Sequence, residues 1–400
     1  MANRPKNLSG KHIFYNYTTV GSCSYGEHWR NLRRIVATDV LSSQRILSFS
    51  GIRKDETHRL VQKLAKDSSS EFAPVELTST FRDMTYNNMM RMIAGKRYYG
   101  EDSELKDVDE AKEFRETVTE LLKLAGKADY LPFLKWFDFE GLNKKLTTTH
   151  KIFDVFVSAL IKEQRSKKQR EDSMIDHLLT LQETQPDYYT DQVTKGLTLA
   201  MLFAGTDSSG ATLEWVFCNL LNNPEVLKKA KDELDTQIGQ CRLLNEGDLP
   251  KLPYLKYIVQ ETPRLYPPAP LLIPHVCSED ITVEGFNIPS DTLVIVNGWG
   301  MQRDPKFWSD ATSFKPERFE KEGEEKKLIA FGLGRRACPG EFMAMHGVSF
   351  TLGLLIQCFD WKRVSAEEID MEEQTWFNLT KLLPLKAMCK TRPVVNKNLK

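Results

Sequence analysis

The ten residues Phe331–Gly340, FGLGRRACPG, constrain this chain more than any other stretch, because they admit two folds. Read from Gly332, the run Gly332-Leu333-Gly334-Arg335-Arg336-Ala337 is a G-x-G-x-x-A cradle for dinucleotide phosphates. Such a cradle needs a strand before it, a helix after it and an acid about twenty residues on. KKLIAF, GEFMAMHGVSFTLGLLI and Asp360 meet those local needs. The fold also needs further βαβ units of about thirty residues each, and only residues 361–400 follow Asp360. The preceding strand would also be short and charged. The dinucleotide reading fails on context.

Read from Cys338, every unusual residue has a use. The cysteine sits just before a helix that Pro339 can open, a favoured first position. A thiolate there is stabilised by the helix dipole and by backbone N–H groups. Glycines at 332, 334 and 340 let the backbone approach a flat cofactor closely, and Arg336 can pair with an anionic substituent on it. Phe331, Gly334, Arg336, Cys338 and Gly340 together fill the pattern F-x-x-G-x-R-x-C-x-G.

Bulk composition narrows the alternatives. The formal net charge is +0, which gives no electrostatic footprint for nucleic acid. The seven cysteines are widely spread and form no C-x-x-C pair, so neither a zinc ribbon nor a disulfide framework is expected. No apolar run reaches the roughly eighteen residues that span a bilayer, and MANRPKNLSGK has no signal-peptide character.

The first two-thirds of the chain read as helices, with helical period over Ser79–Ala94 and Glu110–Leu124 and in the basic stretch EHWRNLRRIVATDVL. The aromatic run Asp129–Phe139 and the mixed-charge run Glu163–Asp172 read as a buried and a solvated loop. One helix about 50 Å long, at about 1.5 Å per residue, is expected from a Thr190 cap to Asn223. A second follows over Glu225–Ile238 and another begins near Tyr254. After Pro267 the pattern changes, and DITVEGFNIPSDTLVIVN reads as a β-hairpin. With no repeat and no low-complexity linker, residues 1–400 read as a single mixed domain, mainly α with small β-sheets.

Three further groups carry chemistry. Glu261 and Arg264 in QETPRLYP are spaced i, i+3, which on a surface is worth only about 0.2–0.5 kcal/mol; Arg318 follows in PERF. FAGTDSSG, Phe203–Gly210, places poor helix formers in the middle of the long helix, where they read equally as a helix break. Trp29 and Arg33 in HWRNLRR share one helix face.

These motifs, together with YNYTTVGSCSYGEHWRNLRRI and PLKAMCKTRP, resemble the cytochrome P-450 superfamily of haem-thiolate monooxygenases. Within it they are similar to the plant branch that includes isoflavone hydroxylases. The resemblance runs over essentially the whole chain and implies haem b held by Cys338 as iron ligand, within Phe331–Gly340. It assigns Trp29, Arg33, His275 and Arg336 to the haem propionates. Asp207 and Ser208 are the acid–alcohol pair that passes protons to iron-bound oxygen, with serine where the family usually has threonine. Glu261, Arg264 and Arg318 form a buried structural triad that holds the loop of Cys338.

The resemblance also implies O2, an NADPH-dependent reductase as electron donor, and a small lipophilic, phenolic or flavonoid-like plant metabolite as substrate. Substrate contacts fall on Tyr17–Tyr25, Leu199–Phe203, Leu271–Ile273 and Trp376–Leu379. The family sits on the cytosolic face of the endoplasmic reticulum membrane. Relative to it, the chain is expected to lack the N-terminal anchor, the first helix and the first sheet strands, which would leave a sheet edge unpaired. Pro263, between Glu261 and Arg264, is expected to cost about 3 kcal/mol and to splay that pair. Two alternatives stay open: a non-catalytic remnant that holds haem poorly, and a haem-thiolate isomerase or dehydratase.

Overall fold

The computed structural model describes residues 1–68, 71–100, 112–113, 116–117, 119–120, 141–168, 172–375 and 378–398. The aromatic run Asp129–Phe139 lies outside them, as do Trp376 and most of the expected helix Glu110–Leu124. The chain divides into two compact units. One comprises Met1–Arg45, Tyr86–Thr206 and Ile273–Val296; the other comprises Ile46–Thr85, Asp207–Leu272 and Asn297–Lys400.

The first unit is built on helices Leu142–Ser166, Met174–Thr184 and Asp191–Gly205. Leu142–Ser166 buries Leu146, Phe153, Phe156, Val157, Leu160 and Ile161, a stripe spaced at threes and fours that packs one helix face inward. Burying each such side chain is worth about 1.5–3 kcal/mol. Among the described residues, two small antiparallel strand pairs also belong to the unit. Ile281–Val283 and Phe286–Ile288 form the expected hairpin, closed by Glu284 and Gly285 at φ 49° and 82°. Leu293–Val294 does not extend that hairpin; it pairs with His275–Val276.

The second unit is organised around helix Glu341–Cys358, in which every residue from Val348 to Cys358 is buried. A helix that is apolar all round is a core helix. Gly353 permits this packing, since a Cβ there would stand 2.5 Å from Leu244 Cδ2. A three-stranded antiparallel sheet flanks the core, with Lys386–Thr391 between Ala73–Glu76 and Phe359–Lys362.

Two expectations are corrected. The long helix is two, Asp191–Gly205 and Asp207–Asn222, interrupted at Thr206. Thr190 caps the first, its hydroxyl accepting from the Val193 N–H at 3.3 Å. At the interruption the Thr206 hydroxyl turns back onto the Leu202 carbonyl at 2.8 Å, a bond that competes with the helical ladder. The next helix, Pro224–Gln237, starts one residue before the expected Glu225.

The second correction concerns Pro263. Helix Pro253–Leu265 runs through it. The proline lies in the last turn, where it denies a donor to a single carbonyl, that of Val259, and the end is closed by the Tyr266 N–H on the Thr262 carbonyl at 2.7 Å. The Glu261–Arg264 pair is not splayed.

Candidate thiolate site and its supports

The Cys338 loop takes its shape from two glycines. Gly332 and Gly334 adopt φ 69° and 68°, a region that side chains resist. The second of them opens a short 3₁₀ turn, Gly334–Arg336. The Cys338 N–H then donates to the Phe331 carbonyl at 2.8 Å, which closes the loop on itself. No strand precedes it: Glu324–Lys327 is a 3₁₀ turn, which removes the element a dinucleotide cradle requires.

Helix Glu341–Cys358 follows the loop with Gly340 as its cap, and the first bond runs from the Ala344 N–H to the Gly340 carbonyl at 2.9 Å. Pro339 therefore stands before the helix and does not open it. A Cβ on Gly340 would lie 3.8 Å from Cys338 Sγ, so the sulfur sits over the helix start.

Exposure sets this thiol and one other apart. Of the seven cysteines, none forms a disulfide and only Cys241 and Cys338 are exposed. Burial pushes the Cys218 and Cys389 thiols up, and that of Cys358 to about 12. Thiols buried in apolar surroundings are inert. Of the adjacent arginines, Arg335 is exposed and Arg336 half-buried.

Glu261, Arg264 and Arg318 form a closed buried network. Arg264 grips the Glu261 carboxylate through Nε at 2.7 Å and Nη2 at 2.8 Å, and both side chains are fully buried. Arg318 Nε and the Lys315 N–H add bonds to Glu261 Oε1 at 3.0 and 2.9 Å. Arg264 also donates to the carbonyls of Gln302, Ala311 and Ser313 at 2.7, 2.7 and 3.1 Å. The Trp308 ring covers both guanidinium groups, with Arg264 at 5.2 Å and Arg318 at 5.8 Å from its centroid. The triad fixes the path of residues 302–318. It reaches the Cys338 loop at one remove, because the Gln302 side chain donates to the Lys327 carbonyl at 2.9 Å, just before Phe331.

Asp207 and Ser208 open helix Asp207–Asn222 and are half-buried. Two turns further on, buried Glu214 accepts a short hydrogen bond from Thr78. Burial raises the Glu214 carboxyl, against the pull of that bond.

In the other unit, Trp29 and Arg33 lie on helix Glu27–Ile35, with Trp29 buried beside the Tyr25 ring at 5.4 Å. His275 lies on its two-residue strand, and its Nδ1 is 2.7 Å from the Met1 carbonyl, an acceptor that makes Nδ1 the donor. Arg4 is buried beside it, donating to the Ile273 and Pro274 carbonyls at 2.7 Å each.

Sequence reasoning missed Arg4 and a second buried cluster. Arg53 grips Glu246 through Nε at 2.6 Å and Nη2 at 2.7 Å, and His346 Nε2 lies 3.2 Å from the same carboxylate. Burial pushes the Glu246 carboxyl up, but His346 and Arg53 outweigh it and hold the pKa below the usual carboxylate value. The three residues come from remote segments, so no local motif marks them. Among the described residues, no group of three or more His, Cys, Asp or Glu side chains could hold a metal ion, and no helix is long and apolar enough to cross a membrane.

Comparison with known proteins places this arrangement. Residues 2–389 match the family model for Cytochrome P450. The chain is 62% identical over 400 residues to the isoflavone 2'-hydroxylase of Medicago truncatula, covering 99% of this chain and 80% of that protein. It is 56% identical over 404 residues to the isoflavone 3'-hydroxylase of the same plant, with 99% and 81% covered. A zebra fish cytochrome P450 solved with progesterone has the same fold, with a TM-score of 0.82 at 22% identity over 98% of this chain and 89% of that one. A helix-rich chain with small sheets and an exposed thiol in a glycine-shaped loop, matched along nearly its whole length, belongs to the cytochrome P450 family of monooxygenases.

Proposed function

We propose that the chain, as one domain over residues 1–400, inserts one oxygen atom of O2 into a small lipophilic, phenolic or flavonoid-like plant metabolite. The observation that carries this reading is the exposed Cys338 thiol in a loop shaped by Gly332 and Gly334. One thiolate does not satisfy a bare metal ion, but it suits haem b, which brings its own ring donors to the iron. When bound, haem activates oxygen, and a thiolate ligand favours O–O cleavage.

The chain's own residues would do the rest. Cys338 ligates the iron. The half-buried Arg336 offers a charge-assisted donor to a propionate, and the family resemblance assigns Trp29, Arg33 and His275 the same task. Asp207 and Ser208 hold and pass the proton that oxygen chemistry consumes. The Glu261–Arg264–Arg318 triad is structural. Electrons come from an NADPH-dependent reductase, at the cytosolic face of the endoplasmic reticulum membrane. The hydroxylases named above are relatives named for their action on isoflavones, which supports a flavonoid-like substrate here.

The test is the reduced carbon-monoxide difference spectrum of the full chain. The wild type is expected to give a thiolate-type Soret band that Cys338→Ser abolishes. Folded wild-type protein that takes up no haem would overturn the reading in favour of a non-catalytic remnant. Turnover without NADPH or O2 would overturn it in favour of an isomerase or dehydratase.

A further inference from the structure

The Arg53–Glu246–His346 cluster lies outside every motif considered above, and it touches the helix that follows Cys338. His346 stands in the second turn of the helix, and its ring stacks on Phe342, with centroids 5.3 Å apart and planes at 28°. Phe342 is in the first turn, directly after Glu341, and 45% of its surface is exposed. The stack therefore joins the first two turns of the helix into one face. That face is tied to a fixed charge pair. The side chains of Arg53 and Glu246 are only 5% and 8% exposed, and their bidentate contact spans 193 residues of sequence. Helix Ser50–Asp67 supplies Arg53, and the 3₁₀ turn Glu246–Lys251 supplies Glu246.

The rest of the helix is held by apolar packing from Val348 onward. Residues 341–347 are half-buried or exposed, and among them Met345 packs against the same core. Gly347 rests against Arg53, where a Cβ would lie 3.8 Å from Arg53 Cδ. At this end of the helix, His346 Nε2 stands 3.2 Å from the Glu246 carboxylate, a close approach without hydrogen-bond alignment.

We propose that His346 is a positioning residue for Cys338: anchored on the Arg53–Glu246 pair, it fixes the first two turns of helix Glu341–Cys358 and so the helix start beneath the thiolate. Part of the inference rests on the haem-thiolate reading, and the experiment separates the two. His346→Ala, His346→Gln and a control, Leu64→Ala, are compared in the full chain. Leu64 is buried on the helix that carries Arg53, so its truncation costs stability without touching the cluster. Two readouts are taken. Amide hydrogen exchange over residues 341–346 is measured before haem is added, and the fraction of thiolate-type carbon-monoxide band is measured after it.

His346→Ala is expected to speed exchange at 341–346 about tenfold, as the loss of about 1.4 kcal/mol of local protection gives. It is also expected to lower the thiolate-type fraction at least about threefold at unchanged total haem. His346→Gln, which keeps a donor toward Glu246, restores both, and Leu64→Ala changes neither selectively. Unchanged exchange at 341–346 in His346→Ala overturns the proposal. So does an equal loss of the band in His346→Ala and Leu64→Ala. If even the wild type binds no haem, the haem-thiolate reading falls, and the exchange readout alone decides whether His346 anchors the helix.

Discussion

Replacing Glu261 by alanine is the sharpest test of how the second unit is held together. In the folded protein its carboxylate accepts from Arg264 Nε and Nη2, from Arg318 Nε and from the Lys315 N–H. Glu261→Ala removes all four bonds at once. Arg264 keeps its three main-chain carbonyls but remains a fully buried cation with no carboxylate against it. Breaking a buried pair by deleting one partner costs about 3–5 kcal/mol, against about 0–1 kcal/mol for an exposed pair. At about 1.4 kcal/mol per factor of ten, that lowers the ratio of folded to unfolded protein by roughly two to three and a half orders of magnitude. With total stabilities of about 5–15 kcal/mol, little is left.

Urea unfolding of wild type, Glu261→Ala, Arg264→Leu and the double variant measures this directly. The double variant is expected to be more stable than Glu261→Ala, since it removes the stranded cation along with its partner. A cost below about 1 kcal/mol for Glu261→Ala would refute the reasoning, because that is the value of a solvated pair. A double variant whose loss is the plain sum of the singles would refute it as well.

Two further outcomes follow from the same geometry. Pro263→Leu should stabilise by only about 0.5–1.5 kcal/mol, the net worth of one restored hydrogen bond, because the helix already runs through this position; a gain near the full 3 kcal/mol of a mid-helix proline would show a break that the structure lacks. The folded-state pKa of Glu246 lies below its ordinary value of 4.5, so its contribution is complete above about pH 4.5 and is lost as pH falls through the depressed value. Glu246→Gln should therefore be less stable than wild type at pH 7, by a gap that narrows on acidification, and a gap that does not change with pH would exclude the cluster as its source.

How much of this was legible in the sequence depended on how local the cause was. The Cys338 loop was readable because five fixed positions lie within Phe331–Gly340 and the glycines at 332 and 334 announce the left-handed backbone they adopt. Helix Thr78–Ala94 and the hairpin turn at Glu284–Gly285 were readable for the same reason. The Glu261–Arg264 spacing alone pointed to a surface pair. Its burial depends on carbonyls at 302, 311 and 313, which no local pattern connects to it. The interruption at Thr206 lay within the flagged Phe203–Gly210 stretch, yet composition alone does not distinguish a bend from a break. The alliance of Arg53, Glu246 and His346 left no trace, since charged residues distant in sequence carry no periodicity that would mark them as neighbours.

The way the two arginines hold residues 302–318 has a consequence for how that stretch can change over evolutionary time. Arg264 and Arg318 address it through main-chain oxygens, those of Gln302, Ser309, Asp310, Ala311 and Ser313. A carbonyl is the same whatever side chain it belongs to. Residues 309–313 are therefore specified by backbone path more than by composition, and their letters can drift while Trp308, the two arginines and the glutamate cannot. Mutational tolerance should be broad at 309–313 and nearly absent at 261, 264 and 318, so that the information fixing 309–313 is written outside it.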